Sequence, residues 1–297
     1  MVSQFNCPGG CRSISKKKFK RSQKINTDTL SVNCTNDNHE KPALFECNNC
    51  NLIFSELVNC KFLDKYTDVQ DEKYISQIIY KQSYFQKLYE KIKSEINFNG
   101  NVLEIGSYYG VFSNIANKDI KNFSSIELSM HARDFAKKNY NIDSINQDPI
   151  KYLNNKKNFF DCILMFDVIE HLDDPFIFMQ KLNGSLKKDG KFIFTTFDMD
   201  SLFPKIMGRN YHWIMPMHKY YFSEKTLSYY LNKNGLKIYK TKNDERDISI
   251  KYLFYKLSIL LPMFKKIFIY LGKIYFLSKK NIKINFYDLK IFFACKK

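Results

Sequence analysis

The chain has no long uninterrupted apolar run. Its most apolar stretch, residues 252–278, is broken by Lys256, Pro262, Lys265, Lys266 and Lys273, which makes a poor transmembrane span. The N-terminus, MVSQFNCPGGC, lacks the apolar core of a signal peptide. Both absences point to a cytoplasmic chain whose eight cysteines are thiols or metal ligands rather than disulfides. No internal repeat is visible. Acidic residues are scarce, with 30 Asp and Glu against 47 Lys and Arg and a net charge of +17. The scarcity is local. Residues 251–297 hold eleven lysines against one acid, Asp288, and residues 1–60 hold eight basic residues against five acids, so residues 61–250 carry only +4. A nucleic-acid enzyme often spreads basic charge around its cleft, whereas here the excess sits mostly at one end. What is present is ample core material. With 44% hydrophobic and 16% aromatic residues in 297, the chain can bury one large domain plus a small appendage.

Residues 70–97 predict a helix, because Ile75, Ile78, Ile79, Tyr84, Phe85, Leu88, Ile92 and Ile96 recur at steps of three and four. From about 100 to 245, strands and helices alternate. The strands are NVLEIG, NFSSIEL, a weak SIN, FDCILMFDVI, GKFIFTTF after the turn KKDG, and LKIYKTK. Between them lie the helical segments VFSNIANK, HARDFAKKNY, DPFIFMQKLNGSL and SEKTLSYYLNKNG, the last bounded by a capping Ser223 and a terminal Gly235. Such alternation implies an α/β fold, a mostly parallel sheet wound on both faces by helices. Ligands in such sheets sit beyond the carboxyl ends of the strands.

At the first strand end, Glu104 precedes a loop with Gly106 and Gly110. A dinucleotide site would want a third glycine, which is missing. An acid so close suits a ligand with a positive charge better than a pyrophosphate. At the second strand end stands Glu127, whose carboxylate can accept both hydroxyls of a ribose. After the third comes Asp148, which can accept from an exocyclic amine. Each element alone is weak, but their order and spacing together are specific.

These residues resemble the class I S-adenosylmethionine-dependent methyltransferases. VLEIGSYYG is similar to their first motif, IELS to the ribose acid and QDP to the next acidic turn. FFDCILMFDVIEHLDDP is similar to their fourth-strand segment, LKKDGKFIFTTF to the turn before their fifth strand, and HKYYFSEKTLSYYLNKNGL to their following helix. The resemblance covers about residues 98–245. It implies a doubly wound, seven-stranded, mostly parallel Rossmann-like sheet whose last strand, antiparallel, is NFYDLKIFFACKK. It also implies that Glu104, Gly106, Ser107, Tyr108 and Gly110 hold the amino-acid end of S-adenosylmethionine. Glu127, with Leu128, would bind the ribose, Asp148 would lie near the adenine, and Phe166 and Asp167 would flank the cofactor. A helix cap is the other reading of Asp167. One departure is Tyr108, which stands where the family has a glycine. It and Tyr109 are either exposed loop aromatics or a cover for the cofactor.

A hydroxyl acceptor benefits from a base, and His171, His212 and His218 are the candidates. Asp167, Glu170 and His171 also form a candidate divalent-metal group, similar to that of some quinone-pathway O-methyltransferases. Ahead of the domain, Cys7 and Cys11 in NCPGGC and Cys47 and Cys50 in ECNNC are two knuckles suited to one structural zinc, with Cys34 or His39 as substitute ligands. CNNCNLIF resembles the knuckle found before many bacterial small-molecule methyltransferase domains. The expected organisation is therefore a zinc-ribbon-like module over 1–62, a helical lead-in over 63–99 and the methyltransferase domain over 100–297.

Within that domain, residues 249–284 predict a basic amphipathic helical insert, broken at Pro262. It is read either as packed on the domain or as touching anionic membrane, peripherally at the inner face. The expected activity is methyl transfer to a small-molecule or glycan-pathway acceptor, at a hydroxyl oxygen. An RNA methyltransferase is the alternative, with RSISKKKFKRSQK tracking phosphates, but the N-P-P-Y type tetrad is absent after the fourth strand, where DVIE stands. A cofactor-binding regulatory protein without catalysis is the third reading.

Overall fold

The computed structural model describes residues 5–11, 13–22, 25–26, 40–249, 254, 257–258, 262–273, 281–284 and 286–297. Strands β1 (Phe5–Asn6), β2 (Ile14–Phe19), β3 (Leu44–Cys47) and β4 (Ile53–Ser55) form an antiparallel meander. The lead-in follows as three helices, Leu63–Thr67, Glu72–Ser76 and Ile78–Ile92, the last two parted at Gln77, with a 3-10 turn at Lys93–Glu95. Next come β5 (Asn101–Ile105), β6 (Asn122–Ile126), β7 (Phe160–Phe166) and β8 (Leu186–Phe197). The chain continues through β9 (Tyr220–Tyr221), β10 (Leu236–Asn243), β11 (Arg246–Ser249), β12 (Asn281–Ile284) and β13 (Leu289–Lys296).

The central sheet runs in the order β10-β13-β8-β7-β5-β6. β6, β5, β7 and β8 are parallel, while β13 lies antiparallel between β8 and β10. The expected antiparallel last strand is β13. β7 shows why the parallel core reads as a continuous apolar run. Ile163 and Met165 face one layer with Phe178 and Leu182, while Cys162, Leu164 and Phe166 face the other with Leu88, Ile92 and Phe112. Both faces of the strand are thus covered, as a parallel sheet requires.

Two expectations change in detail. SIN makes only an isolated parallel bridge, Ile145 to Ile126, so among the described residues the central sheet has six strands rather than the expected seven. KKDG does not interrupt β8 but sits within it, absorbed by a register shift between the pairs Phe160–Leu186 and Cys162–Lys191. The expected cap is found, with the Ser223 hydroxyl accepting from the Thr226 amide at 3.2 Å and opening the helix Glu224–Lys233.

β9 does not join the central sheet. It pairs with β4, so the N-terminal meander becomes a five-stranded sheet that includes a strand from the far side of the chain. β11 and β12 form a separate hairpin at the base of the predicted insert. Its described interior is a 3-10 turn, Pro262–Phe264, and a helix, Lys265–Lys273. Among the described residues, no helix is long and apolar enough to cross a membrane.

Candidate active site

The carboxyl ends of β5, β6 and β7 lie side by side, which brings Glu104, Glu127 and Asp167 to one edge. After β5 the backbone turns through left-handed conformations, with φ of +77° at Gly106, +48° at Tyr108 and +73° at Gly110. Glycine tolerates this freely and tyrosine does not. Tyr108 is held there by its surroundings. Its amide donates to Glu127 Oε2 at 2.7 Å, and its hydroxyl donates to Asp71 Oδ2 at 3.2 Å. Its ring packs edge-on against Tyr74 and Tyr109. Tyr109 is not an exposed loop aromatic, because it is buried and its hydroxyl accepts from the Asp71 amide at 2.7 Å. Asp71, which caps the helix Glu72–Ser76, thus clamps the loop. Gly106 is also required sterically, since a Cβ there would come within 2.5 Å of Val168 Cγ2.

Glu104 is buried and accepts from the Ser113 hydroxyl at 2.5 Å. Burial pushes its carboxyl up to about 8. Glu127 is also buried, and each carboxylate oxygen accepts one backbone amide, from Tyr108 at 2.7 Å and from Ser129 at 2.8 Å. Burial raises its pKa, and the amide bonds partly oppose that. The Ser107 hydroxyl meets that of Ser144 at 3.1 Å. The carbonyl of Leu128 accepts from Arg133 at 2.7 Å. Asp148 caps the helix Pro149–Asn154 by accepting from the Lys151 amide at 2.8 Å.

Phe166 and Asp167 end β7. Asp167 is not a helix cap. It has φ of +54°, accepts from the Thr195 hydroxyl at 2.8 Å, and is gripped by Arg246, one guanidinium nitrogen reaching both carboxylate oxygens at 2.9 and 2.7 Å. The same guanidinium meets Asp244 at 2.9 Å and lies over the ring of Tyr84. Sequence reasoning missed Arg246. The available signal was rarity, because only five of the 47 basic residues are arginine, and pairing two carboxylates from one head group favours arginine over lysine.

Two of the three candidate histidines come together. The rings of His171 and His218 pack edge-to-face with centroids 4.6 Å apart, and Glu170 joins them so that one ligand atom from each lies within 4.8 Å of the others. Asp167 is not part of that group, since Arg246 holds its carboxylate. His212 lies outside it too, packed between Tyr211 and Trp213. His218 is buried, with Nδ1 2.7 Å from the Trp213 carbonyl. A carbonyl only accepts, so Nδ1 carries the hydrogen and Nε2 the lone pair. Burial pushes the pKa of His218 down to about 4 and that of His171 well below the usual imidazole range, His218 adding to the latter effect. His171 Nδ1 lies 2.8 Å from the Tyr66 hydroxyl. Burial first, then Asp167, push Glu170 up to about 8. The group is therefore close to charge-neutral at neutral pH.

The four knuckle cysteines converge, with all their sulfurs within 4.8 Å of one another and Cys7 and Cys50 at 3.7 Å. Cys34 and His39 lie outside the described residues. The hydroxyl of Tyr230, from the helix Glu224–Lys233, reaches into this group, 3.0 Å from Cys50 Sγ and 3.5 Å from Cys11 Sγ. A Cβ on Gly9 would stand 1.8 Å from that hydroxyl. The glycine of CPGGC thus leaves the space that the phenol fills. Tyr230 also escaped the sequence reading, because it is 180 residues from Cys50 and nothing local marks it.

A family profile described as "Methyltransferase domain" matches residues 78–241. No curated protein matches the chain by sequence. Among solved structures, one similar fold is an S-adenosylmethionine-dependent methyltransferase from Archaeoglobus fulgidus, with 15% identity, 76% of this chain and 100% of that one covered, and a TM-score of 0.53. Another is the YcgJ protein of Bacillus subtilis, with 13% identity, 72% and 99% covered, and a TM-score of 0.50. With the family profile spanning more than half its length, the chain belongs to the methyltransferase-domain family and is a class I S-adenosylmethionine-dependent methyltransferase.

Proposed function

We propose that the enzyme methylates a hydroxyl oxygen of a small-molecule or glycan-pathway acceptor, using the group formed by Glu170, His171 and His218 to take the proton. The observation that carries this reading is the neutral His171–His218 pair packed at the end of β7, with His218 Nε2 left as a lone pair. The donor set suits the cofactor. Glu104 is a buried carboxyl that a ligand ammonium would re-ionise. Glu127 keeps two oxygens, each with acceptor capacity left for a ribose hydroxyl. Ser107, Tyr108, Gly110, Leu128, Asp148 and Phe166 complete the lining of that edge.

When bound, the cofactor supplies a sulfonium methyl whose transfer to an oxygen needs alignment more than activation. The acceptor O–H bond then breaks, its proton passes to the histidine pair, and the ether oxygen keeps the new methyl. A neutral imidazole with a lone pair at Nε2 suits that role, while Glu170, pushed up to about 8, is largely protonated at neutral pH and keeps the group uncharged.

Labelled methyl transfer screened over nucleotide sugars, lipid-linked glycans, quinone precursors and RNA tests the acceptor. His218→Gln and His171→Gln are expected to lower kcat on the accepted substrate by about 10²-fold or more while cofactor affinity holds. Labelling of RNA alone, or full turnover in both variants, would overturn the reading.

We also propose that Cys7, Cys11, Cys47 and Cys50 hold one structural zinc. Tetrahedral Zn–S bonds of roughly 2.3 Å place sulfurs roughly 3.8 Å apart, close to the 3.7 Å between Cys7 and Cys50. Four protein ligands leave no open position, so this metal shapes the fold and not the reaction.

A further inference from the structure

The β11–β12 hairpin brackets the segment 250–280. Its base is closed by four pairs, from Arg246–Ile284 to Ser249–Asn281. Within it, the turn and helix over 262–273 have two unlike sides. At 100° per residue, Met263, Phe264, Ile267, Phe268, Tyr270 and Leu271 share one arc, and Lys265 and Lys266 lie opposite with Ile269 between them. One edge of the apolar arc is used, as Phe268 stacks near Phe254 with centroids 6.2 Å apart. The rest is bare. Met263 is 87% exposed, Tyr270 69% and Ile267 55%. Residues 249–284 hold eight lysines and no acid.

We propose that this helix lies flat on an anionic lipid surface. Met263, Ile267 and Tyr270 enter the acyl boundary, and Lys265 and Lys266 meet the head groups. The argument is complementarity of two kinds at once. An apolar arc flanked only by positive charge matches a surface that is negative outside and apolar beneath. Among the described residues, no helix is long and apolar enough to cross a bilayer. The hairpin that carries it begins at Arg246, which is locked on Asp167 at the tip of β7. Lipid contact would therefore tether the hairpin whose first residue is held at the catalytic edge of the sheet. This inference is independent of which acceptor atom is methylated.

Charge alone would draw a chain of +17 to anionic vesicles, so the test removes the apolar side chains and leaves the charge unchanged. The full chain and the variant Met263→Ser/Ile267→Ser/Tyr270→Ser are sedimented with phosphatidylglycerol–phosphatidylcholine vesicles and with pure phosphatidylcholine vesicles, at low and high salt. All three side chains are exposed, and unchanged thermal melting confirms that the variant folds. The wild type is expected to bind the anionic vesicles and keep a salt-resistant fraction, because inserted apolar area is not screened. The variant is expected to lose that fraction and to bind about ten-fold more weakly at low salt. Failure of the wild type to bind anionic vesicles at low salt overturns the proposal. So does equal binding by the variant, which would leave net charge as the whole cause. A self-association that the variant abolishes while vesicle binding stays unchanged also overturns it, and assigns the face to a protein contact.

Discussion

Glu104 shows how one buried carboxyl can report on the cofactor. Its folded pKa of about 8 lies above the usual value of roughly 4.3. A carboxyl shifted upward favours the folded state while protonated, and this contribution is lost as pH rises through the folded pKa. The ligand-free enzyme is therefore expected to lose stability between about pH 5 and 8. Glu170, raised by burial in the same way, contributes over the same window. A ligand ammonium beside Glu104 would favour its ionised form. S-adenosylmethionine should then bind more tightly as pH rises across that window, releasing a proton as it binds below about pH 8. Calorimetry in two buffers of different ionisation enthalpy measures the proton. In Glu104→Gln, both the release and the pH dependence of affinity should disappear. If they persist, the ammonium does not sit at Glu104.

Much of this edge was legible in the sequence because its signals are local. Glu104 and Glu127 each follow an apolar strand, and strand ends can be read from the run itself. The left-handed turn at Gly106 and Gly110 was marked by residue type. Tyr108 was visible as an anomaly, but its cause was not, since Asp71 and Tyr74 come from another segment. The proton-accepting group was half visible. The sequence offered three histidines with equal standing, and only the path of residues 211–221 separates His218 from His212.

At the scale of elements, the β11–β12 hairpin is fastened by Arg246. This guanidinium stands between Asp167 and Asp244, and Asp244 is buried and also accepts from the Tyr84 hydroxyl at 2.7 Å. Removing the cation strands a buried carboxylate, which typically costs about 3–5 kcal/mol. Asp167 is partly exposed, so its share is discounted and the lower end applies. Arg246→Met is accordingly expected to lower unfolding free energy by about 3 kcal/mol in denaturant titration. Adding Asp244→Asn should restore part of the loss. A single variant as stable as wild type would show that the hairpin is held by other contacts. The pair spans 79 residues, which explains why helical and strand periodicity gave no hint of it. Periodicity assigns a residue to a face but does not say which distant segment covers that face.

At the scale of the whole molecule, the N-terminal sheet and the catalytic domain share structure in two places. β4 pairs with β9, and β9 lies two residues after His218. Lys219, between them, is buried, pairs with Asp173 and lies 5.1 Å above the centre of the Phe62 ring. Tyr230 supplies the second connection, among the cysteines. Metal loss should therefore reach beyond residues 1–62. Purified protein is expected to hold about one zinc per chain, and chelation should lower the melting temperature of the entire chain in a single transition. Two separate transitions, with the catalytic one unmoved, would contradict this coupling. Gly9→Ala should mimic chelation in part, because its methyl collides with the phenol, and it should speed zinc release to a competing chelator. Unchanged release would mean that the phenol can withdraw without consequence.

The space left by Gly9 also bears on how such a chain can be recombined. Zinc knuckles are often treated as interchangeable cassettes, moved in front of any catalytic domain by cutting at the linker. Here the cassette carries a socket, and the plug grows from a helix more than two hundred residues downstream. A chimera joining this knuckle to another methyltransferase would leave a hole beside the thiolates unless the recipient helix brought a tyrosine to the same spot. The reverse graft, a knuckle without the glycine on this domain, would be blocked by the phenol. The junction that respects the structure is not near residue 62. It has to keep residues 5–11 and the helix Glu224–Lys233 together from the same parent.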